Sequence, residues 1–371
     1  MPVDPVALAR LQANRLGLCY QAEAGRLGRP PVPIIDAHVH VNGPESAKIF
    51  LRVMDIFGVE RVYSQTPLAN AEAVRAVMGD RIRFIAVPAY GHKDMKWAMT
   101  EGFLEALPQW AERFGARCVK MWAAPRMRDY ADKAGIDPAD IVPLDGPWRR
   151  RVAERAIELG MMLMVHVGDP DTWFATTYAD ANRHAPKPRH YVGLERILDD
   201  YPVPLMAAHM GGWPENLDFL TGLLDRHSNL ILDTSATKWM VRELSRYPRE
   251  RLVEFFQRFS GRILFGSDIV VSDEHLAATK PESPRFGAML AASAPDAFDL
   301  YASRYWALRM MWETEYDAES NIADPDLMMV EPDRFDALSA PRLLGRYLPA
   351  DMLRTLYRDA AEHTLDSWYA R

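Results

Sequence analysis

The sequence predicts an α/β chain, a (β/α)8 TIM barrel with an N-terminal extension and a C-terminal helical segment carrying a lid. Three observations predict it. Apolar runs alternate with amphipathic stretches along most of the 371 residues. Most of those runs are continuous rather than alternating, as in parallel strands buried on both faces. Eight of them can be counted, each followed by a helix-like stretch, which is the number a βα barrel needs. A doubly wound open sheet is the competing architecture, but it would carry eight parallel strands and need a switch point.

Residues 1–33 form the extension: a helix-like stretch over 5–27, then the Pro-rich entry Arg29-Pro30-Pro31-Val32-Pro33. Strands are predicted at 34–41, 60–66, 82–89, 116–122, 161–167, 203–209, 229–234 and 262–268. Helices are predicted near 46–57, 70–78, 97–114, 147–159, 192–200, 214–225 and 241–258. Pro147 and Pro214 fall where first helical positions would be, and Gly115 and Gly160 follow helix ends. The stretch 272–297 is polar and Pro-containing, and a long loop beside the C-terminal rim of the strands favours a lid. Residues 298–313, with Tyr301, Tyr305, Trp306 and Trp312, read as a core helix covering the barrel where an eighth outer helix belongs. An acidic, irregular stretch at 314–341 and a helix at 350–369 follow. The expected organisation is one domain: 1–33 extension, 34–271 barrel strands, 272–371 lid loop and C-terminal helices.

Composition narrows the function classes. Hydrophobic residues make up 49% and charged residues 26%, ordinary values for a soluble globular chain. The net charge of -7 and pI near 5.8 argue against a nucleic-acid or anionic-membrane partner. No apolar run has the length to span a bilayer. Met1 to Arg15 carries charges early and lacks an apolar h-region, so no secretory signal is expected. Cys19 and Cys118, the only cysteines, fit a reducing compartment, and a cytoplasmic location is expected. A small-molecule substrate is the expected partner.

The chemistry collects at strand ends. In Ile34-Ile35-Asp36-Ala37-His38-Val39-His40 the two histidines are two apart on a strand and face the same side, which suits a shared metal ion. Lys120 ends the fourth strand, His166 the fifth, His209 the sixth and Asp268 the eighth. Barrel active sites lie at that end. His184, His190, His227 and His363 are expected at the surface, whereas His92 and His275 follow strands and could reach the pocket. Candidate substrate residues are Lys120, Trp122, Arg126, Asp169 and Trp173, with Asn42, Tyr90, Arg128, Thr234, Ser235, Lys238 and Trp239 as further loop positions.

This constellation resembles the amidohydrolase superfamily, in particular its amidohydrolase-related branch of metal-dependent barrel enzymes. The matching residues are Asp36-Ala37-His38-Val39-His40, Lys120, His166, His209-Met210-Gly211-Gly212 and Phe265-Gly266-Ser267-Asp268, across about 33–270. Where the family often shows Asn-Ala near the C-terminus, this chain has Asp359-Ala360-Ala361-Glu362. The resemblance implies that His38, His40, His166 and Asp268 bind one divalent metal, Zn²⁺ first, with Mn²⁺, Fe²⁺ or Co²⁺ as alternatives. It implies that His209 stands beside the water as an orienting, acid/base or polarising group. In binuclear relatives a carboxylated lysine on strand four bridges two metals; here a Lys120 ion-paired with Asp or Glu is expected instead. A homodimer is a further expectation from resemblance.

Three functions follow. The first is hydrolysis of a small amide, ester or lactone, with Asp268 taking the proton of a metal-activated water and His209 steadying the oxyanion. The second is non-oxidative decarboxylation of an aromatic or unsaturated acid in the same site. The third, of another class, is a non-catalytic protein with a closed structural metal site.

Overall fold

The computed structural model describes residues 5–278 and 286–371. Its strands fall where the apolar runs predict them: β1 Ile34–Val41, β2 Val59–Ser64, β3 Ile82–Phe84, β4 Cys118–Trp122, β5 Met162–His166, β6 Leu205–Ala207, β7 Leu230–Asp233 and β8 Ile263–Leu264. A further short strand, β9 Ile269–Val271, follows Asp268. All pairings among these strands are parallel, in the orders β3-β2-β1-β9 and β4-β5-β6-β7-β8. Backbone hydrogen bonds join the two sheets at both seams. The Ala86 amide donates to the Cys118 carbonyl and the Lys120 amide to the Ala86 carbonyl, both at 2.8 Å. On the other side the Ala37 amide donates to the Phe265 carbonyl at 2.9 Å.

The strands have two differently packed faces. One apolar cluster takes side chains from every strand position: Ile35, Tyr63, Ile85, Cys118, Met162, Met164, Met206, Ile231 and Leu264. Methionine is suited to that space because its unbranched chain fills irregular gaps. The helical run Ala350–Tyr369 adds Ala360, Ala361 and Leu365 to the same cluster. The opposite faces pack against the surrounding helices in a second, larger cluster. The aromatic helix Ala294–Glu313 lies there, its Tyr301 and Tyr305 rings 6.0 and 6.1 Å from Phe50. It is tied to β1 by the Tyr305 hydroxyl, which donates to Asp36 Oδ2 at 2.8 Å.

Several expected elements divide. The 5–27 stretch is two helices, Pro5–Ala13 and Tyr20–Leu27. Asn14 holds the turn between them, exchanging 2.8 Å hydrogen bonds with the Leu18 backbone, and Gly17 takes φ 61°. The expected helix at 97–114 breaks at Thr100 into Met95–Met99 and Glu101–Phe114. The one at 241–258 becomes Thr237–Leu244 and Arg249–Arg258, because Pro248 excludes helical backbone before it. Pro147 does open its helix, but Pro214 lies in a loop; that helix starts at Leu217, capped by Asn216 Oδ1 accepting from the Phe219 amide at 3.0 Å. The stretch 314–341 is more ordered than expected, with β10 Asp317–Glu319 pairing antiparallel to β11 Arg342–Leu344 and a helix at Pro325–Val330. Of the expected lid 272–297, residues 279–285 lie outside the described residues. Among the described residues no helix is long and apolar enough to cross a membrane.

Candidate metal centre

His38, His40, Lys120, His166, His209 and Asp268 line one cavity of about 560 Å³. Gln65, Gly91 and the aromatic side chains of Tyr90, Trp122 and Tyr130 complete its wall. β1 carries His38 and His40 to the same side, two residues apart. Asp268 enters between β8 and β9 with φ 59°, a left-handed conformation that costs a non-glycine residue on the order of 1–3 kcal/mol. Its amide donates to the His38 carbonyl at 2.8 Å. The turn brings Asp268 Oδ1 to 3.1 Å from His40 Nε2 and 3.4 Å from His38 Nε2. These three donor atoms lie within 4.8 Å of one another.

Behind them stands a residue the sequence reading missed. Asp233, the last residue of β7, is fully buried, and its Oδ2 lies 2.9 Å from His38 Nδ1. Its Oδ1 accepts from the His209 amide at 2.8 Å, the Ser235 amide at 3.0 Å and the Ser235 hydroxyl. The signal was present: Leu230-Ile231-Leu232-Asp233 is an apolar run ending in a carboxylate, as at Asp268.

This network assigns the tautomers. An ionised carboxylate only accepts, so the Ser235 hydroxyl donates to Asp233, and Ser235 Oγ accepts from the rings beside it. His38 therefore carries its hydrogen on Nδ1, which lies 2.9 Å from both Asp233 and Ser235, and keeps a lone pair on Nε2. His209 Nδ1 donates to Ser235 Oγ at 2.7 Å, leaving its Nε2 unprotonated. Burial, and then His166 beside it, lowers the basicity of His209 well below that of a free imidazole. Burial and the Lys120 charge lower His38 as well. Burial alone would raise Asp233 and Asp268, but the His38 imidazole and further hydrogen-bonded neighbours outweigh it, and both carboxyls fall below the usual range.

His166 sits on the same cavity but outside the tight donor group. Its ring meets the His209 ring edge-on at 4.6 Å. Its Nε2 lies 2.9 Å from Asp169 Oδ1, and Asp169 Oδ2 accepts from the Tyr178 hydroxyl at 2.7 Å, so Nδ1 is the nitrogen left for a ligand. The loops after β5 and β6 touch backbone to backbone. A Cβ at Gly212, whose φ is 75°, would stand 2.8 Å from the Gly168 nitrogen, so only glycine fits.

Lys120 is buried on the cavity wall. The expected ion pair is absent: among the described residues no carboxylate oxygen lies within 4.0 Å of Nζ. The carboxylates that act on it, Asp233 and Asp268, are already engaged by imidazoles. Burial lowers its ammonium to about 8, with those two carboxylates opposing.

The other predicted substrate residues divide. Trp122 and Tyr90 line the cavity, their rings 6.4 Å apart and edge-on. Arg126 is exposed and does not line it; it precedes the helix Met127–Ala134, whose Arg128 pairs with Asp132 at 3.3 Å. Asp169 serves His166 rather than the cavity. Trp173 is drawn away to the C-terminal segment, where Nε1 donates to Asp326 Oδ2 at 3.1 Å. Trp239 stands beside the site, its ring 6.3 Å from His209 and its Nε1 donating to Glu215 at 2.8 Å. His92 lines a neighbouring cavity, and His275 is buried with Nδ1 2.8 Å from the Tyr301 hydroxyl. His363 is exposed as expected, but His184 and His227 are buried, His184 against Tyr178 and His227 3.4 Å from Asp199.

Residues 28–316, well over half of the chain, match the family model described as amidohydrolase. The chain belongs to the amidohydrolase family. It is thus an enzyme of that family. No curated protein matches the sequence. Among solved structures it is similar to 5-carboxyvanillate decarboxylase from Novosphingobium aromaticivorans, complexed with manganese and 4-hydroxy-3-methoxy-5-nitrobenzoic acid. That match has 12% identity, 94% coverage of this chain, 97% of the other and a TM-score of 0.43. A 2,6-dihydroxybenzoate decarboxylase from Rhizobium matches at 15% identity, covering 75% and 99%, with a TM-score of 0.39. A probable 2-pyrone-4,6-dicarboxylic acid hydrolase from Acinetobacter baumannii, with citric acid bound, matches at 13% identity, covering 81% and 99%, with a TM-score of 0.42. Likenesses this distant leave reaction and substrate to the residues of this amidohydrolase itself.

Proposed function

We propose that this amidohydrolase is a metal-dependent hydrolase of a small, carboxylate-bearing amide, ester or lactone. The observation that carries the reading is the donor group of His38 Nε2, His40 Nε2 and Asp268 Oδ1, with His38 oriented from behind by Asp233. Two imidazoles and a carboxylate suit a divalent ion, and a buried carboxylate on the outer nitrogen of a ligand histidine is how such sites fix the tautomer. His166 would complete the set through Nδ1. Zn²⁺ is the proposed ion, and the donor types also admit Mn²⁺, Fe²⁺ or Co²⁺. When bound, the ion supplies a Lewis acid and a water of lowered pKa.

The chain's own residues do the rest. Asp268, held ionised, accepts the proton of the attacking water. His209, neutral with a free Nε2, accepts a hydrogen bond from that water and orients it. This replaces the expected oxyanion-steadying role, which needs a donor that the Ser235 network does not leave on Nε2. Lys120 offers the substrate a charge-assisted contact for a carboxylate. A closed structural metal site is disfavoured because the donors open onto a cavity of about 560 Å³. The architecture we propose is a closed (β/α)8 barrel, supported by seam hydrogen bonds on both sides and by one interior cluster fed from all eight strand positions.

Metal content and turnover test the reading together. Purified protein should carry about one divalent ion per chain, and chelation should abolish hydrolysis of carboxylated lactones or esters, with recovery on adding Zn²⁺. Hydrolysis that survives complete metal removal would sink it. The Lys120 cation also suits an acid that loses its carboxylate, which keeps decarboxylation as the second reading; CO₂ release without hydrolysis of any ester or lactone would select it.

A further inference from the structure

The candidate metal cavity shares Tyr90 with a neighbouring cavity. A second cavity of about 520 Å³ lies beside it and shares His40, Gln65, Tyr90 and Gly91 with its wall. Each volume alone falls within the range of about 300–1,000 Å³ that holds a small ligand. The second cavity is formed by the loops that follow β2 and β3. Pro67, Leu68 and Ala69 come from the first loop and helix start, and Val87, Pro88 and Ala89 from the second. Its polar wall residues are His40, Asn42, Gln65, Asn70, Tyr90 and His92. Such a wall has no carboxylate, lysine or arginine, which suits an uncharged arm.

Gln65 marks the junction. It is 5% exposed and lines both cavities. Among the described residues its amide nitrogen has only Met164 Sδ, at 4.0 Å, and a thioether is a weak acceptor. Leaving a buried amide without a good partner is costly, so a ligand group at that point is the natural complement.

We propose that the two cavities form one bent site for a two-part substrate. The reacting, carboxylate-bearing head occupies the metal chamber. A carbonyl or hydroxyl next to the head is read by the Gln65 amide. An uncharged apolar arm, aryl or alkyl, fills the chamber after β2 and β3. This rests on the metal chamber being the reaction site, and it names an extended, arm-bearing acid derivative rather than a compact one as the substrate class.

The test uses full-length, metal-loaded protein and isothermal titration with benzoate, 4-butylbenzoate and 4-phenylbenzoate. Two variants, Ala69→Phe and Ala89→Phe, fill the arm from exposed positions outside the metal chamber. Thermal melts confirm that both are folded. Affinity should rise about tenfold or more from benzoate to the extended acids, as burial of several carbons predicts. That gain should shrink in both variants while benzoate binding stays the same. Benzoate binding with no gain from extension, or a gain that both variants retain, would overturn the arm and leave the metal chamber standing. No benzoate binding at all, with Lys120→Met indistinguishable from the parent, would refute the head-group reading and the arm with it.

Discussion

The two walls of the candidate metal cavity are built on opposite plans. On the wall of His38, His40 and Asp268, backed by Asp233 of β7, the polar groups already have partners. Asp233 is engaged by His38, His209 and Ser235, and Asp268 Oδ1 by His40 Nε2 at 3.1 Å. On the other wall, Lys120 has no carboxylate within 4.0 Å and Gln65 has only a thioether. A saturated wall holds fixed donor atoms in place before anything binds. An unsaturated wall waits for an incoming molecule to supply the missing partners. On the proposed reading, the first side takes the ion and the second the substrate.

That contrast can be broken most severely at the ion side. His38→Ala or Asp268→Ala removes a donor from the group of three, and metal content by elemental analysis should fall toward zero with activity at background. Full metal occupancy in either variant would show that the ion sits elsewhere. On the substrate side, Lys120→Met should leave metal content intact and raise KM for carboxylated substrates about 10- to 150-fold, the equivalent of losing one charged hydrogen bond of about 1.5–3 kcal/mol. An unchanged KM would mean that the cation serves the fold instead.

Smaller effects sharpen the line between the walls. Asp233→Asn keeps the shape but loses the anionic acceptor behind His38, and metal affinity measured by competition with a chelating dye should drop about 10- to 100-fold. Smallest of all, Tyr178→Phe removes one hydrogen bond from Asp169, two steps from the cavity, and metal affinity should weaken less than about tenfold. A larger loss there than in Asp233→Asn would reverse the ranking and make His166 the dominant ligand.

The strand ends were legible because a polar residue at the end of an apolar run is a local pattern. His38, His40, Lys120, His166, His209 and Asp268 were each found that way, and one cavity gathers them all. Asp233 carried the same pattern and was passed over for its neighbours Thr234 and Ser235. Trp173 could not have been placed from local sequence, since its partner Asp326 lies 153 positions further on. Arg126 is a predicted substrate residue but stays exposed, because loop arginines face solvent unless something pairs with them. The isolation of Lys120 was invisible for another reason: it depends on where Asp233 and Asp268 spend their hydrogen-bonding capacity, which only the assembled strands decide. Helix breaks at Thr100 and Asn14 were missed because hydrophobic periodicity runs through them, whereas Pro248 was a signal that could have been used.

The helical run Ala350–Tyr369 ties the early strands to residues far along the sequence. It contributes Ala360, Ala361 and Leu365 to the apolar cluster fed from every strand position, and its Tyr369 hydroxyl donates to the Phe84 carbonyl, 285 residues earlier, at 2.7 Å. Asp366 likewise receives Arg61 and Tyr63. Until that run docks, the early strands lack these partners. Contacts of such long sequence separation form slowly, and the waiting strands are exposed to mispairing meanwhile.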